Sequence, residues 1–460
     1  MFNKRFQSMI CVVSLLALAI LSPLSVNNAC ASSSSEGLER SEIAQGWAIT
    51  SLAPGTALRT AFLEEAALAN KGEGWLPVGA MPAMIHDILL RRGEIADPWL
   101  PQGLTECAWV AEKDWVYAVQ FAAEESQAQS RLRFDGLKAK TDVYLNGSRI
   151  ATHGDSSTPL IVDVTTMLRN QNSLVLHVHA PSPRAEGTSP PSRQDRGTYL
   201  GPNPKLSTLG VFDRVYLEVT DGIHKTEVVA DASLNESLTQ ATVTVDVTGT
   251  TRLPSSEVQV RLLDPDSEVV AESTASNGAE GGAFQARSIL TVQHPQLWWP
   301  RGYGEQPLYR LEITLMADGH AHQTEHRTLG FRRIDMPEPL HFVVNGVPVF
   351  LRGGNWVTPN LLTDVWDQAR HDVLFDLAEN ANFNAYRIWA SVAPPQDPFY
   401  EMADARGFLL WQDFTRLPMK ADPKSIATCE KQATQMVKRL KHHPSILSWC
   451  GCNEAAMWAH

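Results

Sequence analysis

Near Pro339 the hydrophobic period of this chain changes, and no single layer of secondary structure satisfies both periods. Upstream, "TDVYLNGSRI", "NSLVLHVHAP", "ATVTVDVTGT" and "LYRLEITLMA" alternate apolar and polar residues, as half-buried strands do. Asn146-Gly147 supplies a hairpin turn among them. Downstream, apolar strands such as "PVFLRGGNW", "NAYRIWA", "GFLLWQDF" and "SILSWCG" are separated by helical spacings. Val365, Ala369, Val373 and Leu377 mark one helix face, a second helix runs near Asp397 to Arg406, and Ile426, Cys429, Ala433, Met436 and Leu440 mark a third. The upstream part reads as two consecutive β-sandwiches, bounded at 32–221 and 222–333. Residues 334–460 read as parallel βα units.

Each downstream strand ends in polar or aromatic residues: Asn355-Trp356, Arg387 to Trp389, Gln412-Asp413 and Asn453-Glu454. In a (β/α)8 barrel the C-terminal strand ends build the active site, so four such ends in succession predict the N-terminal half of a catalytic TIM barrel. Glu454 ends an apolar strand, where burial raises a carboxyl pKa toward that of a general acid. Asn453 can orient a hydroxyl, Arg387 can hold a neighbouring carboxylate ionised, and Trp356 and Trp389 can stack on a sugar. The same residues also fit a structural Arg–Glu pair beneath the rim, with the tryptophans as packing.

The N-terminus carries Lys4 and Arg5, an apolar run from Met9 to Leu21 and then "NACASSSS". That is the pattern of a secretory signal over residues 1–31, with Ala29 and Ala31 at the cleavage positions, so a secreted or periplasmic protein is expected. Lipidation at Cys30 is the alternative, and no stretch is long enough to span a bilayer. A net charge of -12 with no basic cluster excludes nucleic acid as a partner. His177-x-His179 and His320-x-His322 each put two imidazoles on one strand face, but no third ligand is evident. They are read as solvated strand faces, and neither a metal nor a cofactor is expected. There is no nucleophile elbow, Walker loop or dinucleotide fingerprint.

"LWWPRGYGEQPLYRLEI", "FLRGGNW", "NFNAYRIW", "GFLLWQDF" and "HPSILSWCGCNE" resemble, in order, the motifs of glycoside hydrolase family 2. "DVYLNG" and "VFDRVYLEV" are similar to its sugar-binding jelly-roll domain. The resemblance implies a jelly-roll β-sandwich, an immunoglobulin-like β-sandwich and a TIM barrel that retains configuration with two carboxyls about 5–5.5 Å apart. It implies Glu454 as acid/base, Asn453 on the sugar 2-hydroxyl, Arg387 near the nucleophile, and Trp356 and Trp389 lining the sugar subsite. In "RQDRGTYLGP" only Asp195 corresponds to the loop that reaches the site in β-mannosidases. The family nucleophile lies on the seventh barrel strand, whereas this chain ends after the fourth. Glu401 and Glu430 fall in predicted helices and replace nothing, so no nucleophile is assigned.

A secreted, β-mannosidase-like exo-β-glycosidase acting on an oligosaccharide or glycoside is therefore expected, inactive as this chain alone. Exo-β-glucosaminidase and β-galactosidase are the alternatives within the family. Beyond it stand a non-catalytic carbohydrate-binding protein and a split enzyme completed by a second chain.

Overall fold

The computed structural model describes residues 32–35, 38–68, 72–124, 128–181, 207–253, 256–276, 282–359, 365–390, 394–414, 423–451 and 453. Residues 1–31, expected as an export signal, and the site candidates Asp195 and Glu454 lie outside the described residues. Among the described residues no helix is long and apolar enough to cross a membrane.

The first unit is a β-sandwich. Five antiparallel strands run in the order Ser32–Ser35, Leu38–Glu42, Val215–Thr220, Gln129–Phe134 and Leu160–Asp163. Six run in the order Ser148–His153, Thr141–Leu145, Gln171–Val178, Asp114–Ala122, Trp47–Leu52 and Leu76–Gly79. Trp47, Tyr117, Leu132, Phe134 and Leu176 from both sheets share one buried core. The six-stranded sheet is covered on its other face as well, where Ala48, Val116, Ala118 and Val175 pack under Leu63, Ala66 and Trp75. His177, expected on a solvated strand face, is consequently 2% exposed. Alternation puts it on the outer face of the sheet, and helix Thr60–Ala66 with Trp75 packs on that face where alternation alone predicts solvent.

The second sandwich pairs Ile223–Leu234, Gln240–Thr251 and Gly282–Gln293 in one sheet. The other sheet runs in the order Val269–Ser276, Ser256–Leu263, Tyr309–Ala317 and His320–Leu329. Val243, Val245 and Val247 are fully buried while the residues between them stay partly exposed. Burial of each such valine contributes about 1.5–3 kcal/mol, enough to fix the register against a one-residue slip.

The third unit opens with a small antiparallel sheet, Ile334–Glu338, His341–Val344 and Val347–Pro348. Four parallel strands follow in sequence order: Gly353–Trp356, Ala385–Ile388, Leu409–Asp413 and Ile446–Cys450. Helices Gln368–Asn380, Asp397–Arg406 and Pro423–Leu440 connect them. Asp367 caps the first by accepting from Arg370 N–H, and Gly407, at φ +74, ends the second in the left-handed region. Gly353 is required by close approach, because a Cβ there would lie 1.8 Å from the Ala385 carbonyl oxygen.

One face of the parallel sheet packs against the helices through Tyr386, Ile388, Leu410, Phe375 and Phe399. The other face rests on Trp298, Phe342, Val344 and Val349 through Ala385, Leu409 and Leu447. The stripe expected to bury the first helix is corrected: Val373 and Leu377 are 57% and 59% exposed, and His371, Phe375 and Ala378 face inward. An exact four-residue repeat drifts around a helix of 3.6 residues per turn, whereas 371, 375 and 378 hold one line. In the third helix Met436 and Leu440 are buried as expected, while Ile426 is exposed.

Candidate active site

Parallel pairing sets Asn355 opposite Arg387, and Asp413 opposite Cys450 two residues beyond the Arg387–Trp411 pair, so these residues gather at the C-terminal ends of the strands. Arg387 meets Asp413 with two nitrogens, Nε to Oδ1 at 3.1 Å and Nη2 to Oδ2 at 2.8 Å. The same Nη2 donates to Asn453 Oδ1 at 2.8 Å. Asp413 Oδ2 also accepts Ala390 N–H at 3.2 Å. The carboxylate is fully buried and the guanidinium about one-third exposed, at 32%. Planar two-point pairing of this kind fixes direction as well as charge.

A second layer holds the strand ends from behind. The Tyr400 hydroxyl donates to Gln412 Oε1 at 2.8 Å, and Gln412 Nε2 donates to the Asp413 carbonyl at 2.8 Å. Burial pushes the Tyr400 phenol far above its ordinary range, so it stays a neutral donor. Below Asp413, Trp411 and Ser448 are paired in register, and their Nε1 and Oγ are buried without a hydrogen-bond partner among the described residues. The Phe342 ring meets Trp411 edge-on at 6.1 Å and closes that end.

Of the residues singled out in the sequence, Arg387 and Asn453 are brought into direct contact. Trp389 is half-buried just past its strand, with its N–H 3.4 Å from the Trp356 carbonyl. Trp356 differs from the expectation of a sugar-lining ring. Its side chain is 6% exposed and packs among Tyr386, Phe399, Phe375 and His371, on the helix side of the sheet. Strand alternation accounts for this, since Trp356 points opposite to Asn355. Glu401 lies on helix Asp397–Arg406 and Glu430 on helix Pro423–Leu440, away from the strand ends.

Asp413 is the site residue that sequence reasoning left out. It stands in the sequence as a polar strand end, but the resemblance sets Arg387 beside a nucleophile and the structural alternative pairs it with a glutamate. A cavity of about 800 Å³ lies elsewhere, lined by Arg133, Glu218, Lys225, Glu325, Asp397 and Arg439. Beside it the second sandwich and the last helix are joined by the Lys438–Glu227 and Lys441–Asp231 ion pairs, and the cavity carries none of the strand-end residues. Among the described residues, the metal-ligating side chains that converge as a set of three lie in the first sandwich.

Residues 63–204 match the family described as glycosyl hydrolase 2 galactose-binding domain-like, and residues 223–332 match glycosyl hydrolases family 2. β-Mannosidase B of Thermothelomyces thermophilus is 29% identical over 415 residues, covering 83% of this chain and 48% of the relative. β-Mannosidase of Mus musculus is 24% identical over 430 residues, covering 84% and 48%. Among solved structures, a β-D-mannosidase from Dictyoglomus thermophilum superposes with a TM-score of 0.78 at 24% identity, covering 90% of this chain and 52% of that one. An exo-chitosanase from Amycolatopsis orientalis does so with a TM-score of 0.70 at 21% identity, covering 89% and 49%. The chain spans about half the length of the curated relatives it matches.

Proposed function

Because the chain belongs to glycoside hydrolase family 2 and is similar to β-mannosidases, we propose that it forms the acid/base half of a retaining exo-β-glycosidase acting on terminal β-linked mannose. The observation that carries this reading is the bridge from Asp413 through Arg387 to Asn453, which positions the residue immediately before Glu454. In this reading Glu454 protonates the glycosidic oxygen as the bond to the leaving group breaks, and then takes a proton from the attacking water. Asn453, with its carbonyl oxygen held by Arg387, offers its amide hydrogens to the sugar 2-hydroxyl.

Asp413 is unsuited to attack the anomeric carbon, since both its oxygens accept from Arg387 and one also accepts from Ala390. The nucleophilic carboxylate is proposed to come from outside these 460 residues, from further length of the same polypeptide or from a second chain. Trp389 and Asp195 are proposed to contact the sugar, and Trp356 to support the strand end by packing. Residues 334–460 are proposed as the first half of a (β/α)8 barrel. Residues 32–221 and 222–333 are proposed as the preceding domains, with 1–31 as an export signal.

The test is a full-length protein assayed with nitrophenyl β-glycosides of mannose, glucosamine and galactose. The mannoside is expected to give the highest kcat/KM, with the anomeric configuration retained. Preference for another sugar would overturn the substrate, inversion the mechanism, and failure on all three the enzymatic reading.

A further inference from the structure

On the covered outer face of the six-stranded sheet, four titratable side chains meet that no glycosidase chemistry uses. His177 lies opposite Asp142 on strand Thr141–Leu145, and the pairing of Val178 with Trp115 brings His179 alongside Asp114. His177 Nε2 is 2.9 Å from Asp114 Oδ2, and His179 Nδ1 is 3.5 Å from the same oxygen. One ligand atom from each of Asp114, His177 and His179 lies within 4.8 Å of the others. We propose that these three side chains form a divalent-metal site, suited to Zn2+, with Asp142 as the outer carboxylate that orients His179.

The outer shell is already in place. His179 Nε2 donates to Asp142 Oδ2 at 2.9 Å, and Asp142 Oδ1 accepts from the Thr152 hydroxyl. An imidazole that gives one N–H to a held carboxylate turns its other nitrogen toward a metal as a lone pair. Here that nitrogen is Nδ1, and it faces Asp114 Oδ2. Two lone pairs facing each other across 3.5 Å require a positive charge between them, either a proton or a cation.

Charge favours the cation. Asp114 and Asp142 are almost fully buried, at 1% and 7% exposed, and Arg149 on the adjoining strand stabilises the charge of Asp142. Within the cluster itself, two carboxylates with a single protonated histidine keep a net negative charge, whereas a divalent ion with two neutral imidazoles brings the sum to zero. The other Asp114 oxygen is held by Ala180 N–H at 2.8 Å, and Gly55 N–H approaches Oδ2 at 3.0 Å, so the ligand carboxylate is fixed in place.

Size agrees as well. Zn–N and Zn–O bonds of about 2.0–2.2 Å put tetrahedral ligand atoms roughly 3.3–3.5 Å apart. The His179–Asp114 separation is already in that range, and the His177–Asp114 separation needs only a few tenths of an ångström of expansion. On binding, the His177 proton moves from Nε2 to Nδ1, leaving Nε2 as the ligating lone pair. His179 is the most exposed of the ligands, with a side chain 22% exposed, so a water can complete the tetrahedron from its side. The inference stands apart from the glycosidase reading and holds whatever sugar the protein acts on.

The experiment is a calorimetric titration of the untagged, chelator-treated full chain with Zn2+ alone, accompanied by thermal denaturation. One equivalent is expected to bind tightly and to raise the first unfolding transition, and Co2+ in its place is expected to show tetrahedral visible absorption. A His177→Gln/His179→Gln variant should lose this site. Asp142→Asn, which leaves all three ligands intact, should weaken it by about 10–100-fold. Wild-type affinity no greater than that of the double variant would overturn the proposal. An Asp142→Asn variant that binds as tightly as wild type would do the same, and it remains decisive if the double variant fails to fold.

Discussion

One nitrogen of Arg387, Nη2, lies 2.8 Å from Asp413 Oδ2 and 2.8 Å from Asn453 Oδ1, so a single guanidinium couples the third parallel strand to the segment beyond the fourth. Asp413→Asn removes the anion and leaves a charge that is only about one-third exposed. The expected loss of stability is about 3 kcal/mol, the low end for a broken buried pair because Arg387 is partly solvated. In a full-length enzyme, the loosened Arg387 should shift Asn453 and lower kcat/KM by roughly 10²-fold, the scale of a misplacement of about 1 Å. Urea denaturation and steady-state kinetics check the two halves separately, and unchanged values in both would remove Arg387 from its positioning role.

Glu454→Gln in a full-length enzyme should slow substrates with poor leaving groups by about 10²–10⁴-fold while sparing activated aryl glycosides, because only the former need protonation. A leaving-group series measures this. Equal loss across the series would assign the proton to another residue.

Asp213 gives a pH signature unrelated to the strand ends. Burial, with Asp135 and Asp397 nearby, pushes its carboxyl up to about 6. Between about 4 and 6 the folded protein therefore holds a proton that the unfolded chain has released. The stability it contributes is fully present below about 4 and is lost as pH rises through about 6. Asp213→Asn should be more stable than wild type at pH 7, with the gap closing by pH 4. Urea unfolding at pH 4, 5, 6 and 7 would show this, and a constant gap would contradict it.

The phase of helix Gln368–Asn380 is tested by a pair of substitutions. Phe375, fully buried against Trp356, Tyr386 and Phe408, should lose about 3–5 kcal/mol on truncation to alanine. Val373→Glu, on the exposed line, should change stability by no more than about 0.5 kcal/mol. Denaturation midpoints with matched slopes are the readout, and similar losses in both would restore the stripe expected from the sequence.

What could be read without coordinates follows the range of each interaction. Strict alternation in Gln240–Thr251 reports burial locally, and the β-sandwich there was legible. The glycines of "RGGNW" and the polar strand ends located the parallel strands and brought Arg387 and Asn453 into view. The choice of partner was not legible, because Arg387 reaches Asp413 across a strand pairing and the intervening residues carry no trace of it. The same limit hid Asp114 from His177, since the two are joined only by the register of an antiparallel pair. For Trp356 the alternation rule was available and would have turned the ring away from Asn355.

Arg332 Nε and Nη2 donate to the backbone carbonyls of Pro444 and Ile446, at 2.9 and 3.0 Å, and Trp298 Nε1 donates to the carbonyl of Asp404. These contacts reach past the second sandwich to grip main chain, and main-chain carbonyls are the same whatever side chains they carry. The sandwich thus serves as a datum plane from which the height of the fourth parallel strand is set, and with it the point from which the chain runs on to Asn453. Ser448 and Cys450, only half-buried, can accordingly vary without loosening the joint that holds their strand, whereas Ile446 and Leu447 are committed to the cores on its two faces.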